Sequence, residues 1–167
     1  MSDLTLGDLR RTAFAAPPDL GPAGISAQAR ILTADGERRL GDLKPGDRII
    51  ARSSGMVRVT EITRFACPAP PVAIAPHALG DGRPSDLLHV SPAQKLLLRD
   101  WRARLIHGTA AALAPAATLV DQGYILRSPR LTGIEMVTLR FDRPEILYVG
   151  GVECAFEPPQ EESAHAA

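Results

Sequence analysis

The chain has 167 residues, enough for one domain and scarcely enough for two, and its 45% hydrophobic content can supply a core. Nineteen basic and nineteen acidic side chains cancel to a formal net charge of zero. This argues against a nucleic-acid partner, which would need a basic face to displace counterions from phosphates, and the scattered charge offers no polybasic membrane patch.

In chain order, Leu4–Ala15 has an amphipathic pattern with Ser2 or Asp3 as a cap, and is predicted helical. Pro17, Pro18, Gly21, Pro22 and Gly24 then interrupt regular structure. Residues 1–23 are therefore expected to form a leader, residues 24–157 the domain, and residues 158–167 a disordered polar tail. Ala29–Thr33 reads as a strand, Asp35-Gly36 as a tight turn, and Arg38–Leu40 as a paired strand. Leu43-Lys44-Pro45-Gly46-Asp47 makes the next turn, because proline presets φ and glycine accepts αL. Arg48–Arg52 is a strand, and Met56–Phe65 alternates like a half-buried one. Val72–Ala75, Leu87–Val90 and Lys95–Leu98 extend the sheet. One internal helix is predicted, from Pro115 to near Asp121. Glu135–Phe141 is a strand, and Ile146–Val149 and Val152–Phe156 flank Gly150-Gly151 as a hairpin.

Ile31–Ile50 (ILTADGERRLGDLKPGDRII), Leu87–Leu98 (LLHVSPAQKLLL, from Leu87) and Ala112–Val120 occur in the order found in one family. Together they resemble the Hint fold of hedgehog autoprocessing domains and inteins, and more closely bacterial Hint-domain proteins of hedgehog/intein type. The resemblance covers about residues 24–157. It implies an all-β Hint fold, a curled barrel-like or horseshoe arrangement of short strands with at most one or two short helices.

In that family the chemistry is an acyl shift. A thiol or hydroxyl attacks the carbonyl before it, a proton donor serves the leaving nitrogen, and another group polarises the carbonyl. Counted back from Asp35-Gly36, the family's cysteine falls on Gly24, and its Gly-Thr pair on Gln28-Ala29. The family's Ser/Thr-x-x-His box falls on Ser91-Pro92-Ala93-Gln94. Gly24 has no attacking atom, and the Gln94 amide is no general acid near neutral pH. The resemblance therefore implies a catalytically degenerate domain acting as an interaction or regulatory module. The alternative is an active domain performing an N-to-O acyl shift near Gly24–Ser26 through Ser26, and a third reading is a small-barrel ligand or nucleic-acid binder.

Ser26 stands two residues past the expected nucleophile, a displacement of roughly 6–7 Å in a strand, so its ordinary reading is a loop serine. His89 is the fallback imidazole, and its ordinary reading is a strand residue. His77 and His107 have no carboxylate or cysteine at metal-ligand spacing, and His165 lies in the tail. Cys154 sits near the end as a splicing nucleophile would, but Glu153 precedes it and the chain contains no asparagine to cyclise. Cys154 is expected to be a buried apolar residue and Cys67 incidental. Trp101 among Arg99, Arg102 and Arg104 is read either as a partner surface or as packing beneath a loop. No cofactor or metal is expected. A protein partner is left open and oligomeric state is not indicated. With no signal-peptide pattern and no apolar run of the ~18 residues a span needs, the expected compartment is the cytoplasm and no membrane is assigned.

Overall fold

Local turn chemistry folds the chain into short antiparallel strands, which the computed structural model describes over residues 20–131 and 133–156. The predicted leader helix and the tail lie outside these residues. In order come β1 (Ile25–Ser26), β2 (Arg30–Thr33), β3 (Gly36–Arg39), a 3-10 turn (Leu40–Asp42), β4 (Arg48–Ala51), β5 (Gly55–Arg58) and β6 (Glu61–Ala66). Then follow β7 (Val72–Ile74), β8 (Leu88–Val90), β9 (Lys95–Leu98), helix α1 (Trp101–His107), β10 (Ala112–Pro115) and a 3-10 turn (Ala116–Leu119). The last strands are β11 (Ile125–Arg127), β12 (Glu135–Arg140), β13 (Glu145–Val149) and β14 (Val152–Phe156).

The strands form two sheets that do not close into a barrel. A six-stranded sheet runs β11-β7-β8-β1-β12-β6, and an eight-stranded one runs β10-β9-β14-β13-β2-β4-β5 with β3 on β2. Apolar residues of both sheets, including Ile25, Val90, Val137, Leu96, Leu147 and Cys154, pack into one buried cluster.

The turns obey the residues that make them. Gly46 takes φ +94°, and the Asp47 carboxylate accepts the Lys44 N–H at 2.8 Å. Gly150 and Gly151 both take positive φ between the paired Val149 and Val152, as a two-residue hairpin of this twist requires. Gly151 is doubly constrained, since a Cβ there would stand 2.8 Å from the Gly82 carbonyl oxygen.

Several predicted elements are corrected. The first hairpin pairs Thr33 with Gly36, so Ala34-Asp35 form the turn and Gly36 opens β3. Met56–Phe65 divides into β5 and β6, which belong to different sheets. The helix predicted from Pro115 is a 3-10 turn, because Pro115 is held in β10 opposite Lys95. The α-helix lies instead at Trp101–His107, where the Asp100 carboxylate accepts the Arg102 N–H and Gly108 closes the C-terminus in αL.

Candidate functional site: the junction of the two sheets

The residues singled out in the sequence meet where β8 leaves one sheet and β9 enters the other. β1 lies between β8 and β12, and Gly24 precedes it. The Gly24 carbonyl accepts the Ser91 N–H at 2.9 Å, which ties the start of the domain to the turn after β8. Ser91 and Gln94 are both buried, and the Gln94 N–H closes that turn on the Ser91 carbonyl at 3.1 Å. Position 24 and the Ser91–Gln94 turn are therefore brought together.

The chemistry each group can perform is limited. At Gly24 an added Cβ would stand 2.7 Å and 2.8 Å from atoms of the Phe65 ring and 3.1 Å from the Met136 Cβ. The Phe65 ring thus occupies the space into which a nucleophilic side chain would extend. Gln94 uses its side-chain nitrogen as a double donor, to the Lys95 carbonyl at 3.1 Å and the Ala155 carbonyl at 2.9 Å. It serves as a brace between β9 and β14. The Ser91 hydroxyl and the Gln94 carbonyl oxygen find no hydrogen-bond partner among the described residues.

Ser26 and His89 are also neighbours. The Ile25–Val90 register sets Ser26 across from His89 on the adjoining strand. Both line a cleft of about 510 Å³ with Leu87, Leu131 and Tyr148. Ser26 is a buried strand residue, not a loop serine, and its hydroxyl accepts the Gln28 N–H at 3.3 Å. The peptide bond before Ser26 belongs to a strand paired on both sides, with β8 and β12.

Burial holds the His89 imidazole below its ordinary value of 6.5. Unfolding returns it to that value, so as pH falls the unfolded chain takes up the proton first. The stability this group allows is full above pH 6.5 and declines as pH drops below 6.5 toward the folded pKa. His89→Gln is expected to flatten that part of the stability curve in urea midpoints collected across pH.

The remaining candidates have structural places. Cys154 is fully buried, and burial together with the Glu153 charge pushes its thiol far above the ordinary range, which removes it as a nucleophile. The Cys67 thiol donates to the Ala69 carbonyl at 3.0 Å. His77 does meet a carboxylate, Asp81 at 3.6 Å, but its Nδ1 is the acceptor for the Gly82 N–H at 2.8 Å, a loop contact. His107 ends α1. Trp101 does not pack beneath a loop. It is 61% exposed, with the Arg102 guanidinium 4.9 Å from its ring centre. Among the described residues no group of three or more His, Cys, Asp or Glu could hold a metal ion, and no helix is long and apolar enough to cross a membrane.

A family profile described as the Hint domain matches residues 24–157, most of the chain. The chain belongs to the Hint domain family. Among solved structures, this Hint domain is similar to the gp41-1 intein at a TM-score of 0.56 and 10% identity, covering 80% of this chain and 98% of that one. It is similar to the MchDnaB-1 intein at 0.53 and 14%, covering 78% and 98%. A bacterial intein-like domain from Clostridium thermocellum matches at 0.53 and 13%, covering 82% and 99%. At these identities the likeness is one of fold. The comparison with curated proteins returned no match.

Sequence reading missed Phe65, the residue that seals position 24. Its place follows from register. Met136 on β12 stands opposite both Ser26 on β1 and Phe65 on β6, which brings Phe65 to the start of the domain. No local pattern carries that information.

Proposed function

We propose that this Hint domain does not cleave itself and serves as an interaction or regulatory module. The reading is carried by position 24, which has no attacking atom and whose side-chain space is filled by Phe65. Gln94 supports it, since an amide spent on two carbonyls can neither supply nor take up a proton. The exposed Trp101 is the side chain best suited to a protein partner.

Intact-mass measurement of the purified full chain tests this. The expected product keeps all of its residues after prolonged incubation with thiol or hydroxylamine. A product shortened between Ala23 and Ser26, and absent from Ser26→Ala, would instead establish the self-cleaving reading. That second reading draws its support from Ser26 and His89 lining one cleft.

A further inference from the structure

Away from the sheet junction, Glu153 on β14 carries an unusual set of partners. Its side chain is 3% exposed, yet three arginines converge on it. Arg52, just after β4, places its Nε 2.7 Å from Oε2. Arg99, just after β9, donates to Oε1 from Nε at 3.0 Å and Nη2 at 2.5 Å. Arg83, from the loop between β7 and β8, brings Nη1 within 3.8 Å of the same Oε1.

One guanidinium neutralises one carboxylate. Arg99 holds Oε1 and Arg52 stands at Oε2, so with Arg83 three guanidinium charges face the single charge of Glu153. Holding like charges together costs free energy unless something further compensates them. Arg83 and Arg99 are partly open to solvent, with side chains 49% and 40% exposed, while Glu153 beneath them is buried. Arg83, Arg99 and Glu153 line a cavity of about 80 Å³ walled by Leu79 and Val152, and such apolar walls strengthen electrostatic attraction. Asp100 lines it too, but its carboxylate is taken by the Arg102 backbone N–H and guanidinium. Arg102 also approaches Asp121 at 3.7 Å, so that neighbouring group carries one carboxylate more than its guanidinium balances and leaves the whole cluster with a single positive charge in excess.

We propose that Arg83 and Arg99, oriented by Glu153 and backed by Arg52, bind a phosphate-type dianion. Arginine presents five N–H donors in a planar fork that matches tetrahedral oxyanions. Arg83 is too far from Glu153 for a hydrogen bond and is 49% exposed, so its donors remain available. A phosphate group carries about −1.5 to −2 near pH 7, opposite in sign to the excess that Arg83 and Arg99 present at the cavity. A water takes ~30 Å³, so the cavity admits one small oxyanion or the phosphoryl end of a larger molecule. This site is separate from position 24 and does not depend on whether the domain cleaves itself.

Calorimetric titration of the full chain with inorganic phosphate tests the site, at constant ionic strength set by chloride. Saturable binding is expected, weakened about tenfold by Arg83→Gln and unchanged by Arg143→Gln, an exposed arginine elsewhere. Line broadening of the phosphate phosphorus resonance by wild-type protein gives a readout that needs no variant. Co-sedimentation with phosphatidic acid vesicles, lost in Arg83→Gln, would put the phosphate on a lipid headgroup; phosphate binding without co-sedimentation would put it on a soluble molecule. No saturable phosphate binding, equal binding by Arg83→Gln, or equal displacement by acetate would overturn the proposal.

Discussion

Combining Gly24→Cys, Gln94→His and Phe65→Ala is expected to give scission at the peptide bond after Ala23. The new thiol attacks the Ala23 carbonyl, its proton is lost to solvent, and the amide nitrogen of residue 24 leaves as an amine; residues 1–23 are then held on the residue 24 sulfur as a thioester, which an added thiol breaks by exchange. The imidazole at position 94 supplies that nitrogen's proton, a contribution of about 10²–10⁴ in rate. Phe65→Ala is included because the ring stands 2.7 Å from where a Cβ would begin. The pair Gly24→Cys/Gln94→His with Phe65 kept should therefore cleave far more slowly than the triple variant, and Gly24→Cys/Phe65→Ala should lose the imidazole's factor. Thiol-dependent release of residues 1–23, followed by mass spectrometry, measures all three. A folded triple variant that stays whole would sink the account of Phe65 and Gln94 as the blocks to chemistry.

Phe156→Ala should be among the most destabilising single substitutions. Phe156, at the end of β14, meets Phe141, just after β12, edge to face with ring centres 6.2 Å apart and planes at 80°. Both are 1% exposed. Because β12 and β14 belong to different sheets, this pair pins one sheet to the other. Truncating a buried phenylalanine costs about 3–5 kcal/mol, against a total stability of about 5–15 kcal/mol for a single domain. Urea unfolding followed by far-ultraviolet circular dichroism would measure the loss. A double-mutant cycle with Phe141→Ala should return a coupling of about 0.5–1.5 kcal/mol. A loss below about 1 kcal/mol for Phe156→Ala would show that the two sheets are held by other contacts.

The two predictions depend on different kinds of information. The expectation that Gly24 and Gln94 stand where the family has its cysteine and histidine rests on motif order along the chain. The hairpin at Gly150-Gly151 and the turn at Pro45-Gly46-Asp47 were legible because dihedral preference acts over a few residues. Helix α1 has a readable signal in Asp100 as cap and Gly108 as terminator, whereas Pro115 suits the end of β10 as well as the start of a helix. β1 had none, since two residues carry no period, and it exists because β8 and β12 pair with it from both sides.

By itself, then, the sequence determined most of the turns, most of the strands and the family. The tertiary structure alone decided that Phe65 covers position 24, that Ser26 faces His89, and that Arg52, Arg83 and Arg99 gather on Glu153. Turn chemistry is local, acting through the φ and ψ of adjacent residues. The other facts come from strand register and from which faces are buried, which join residues far apart in the chain.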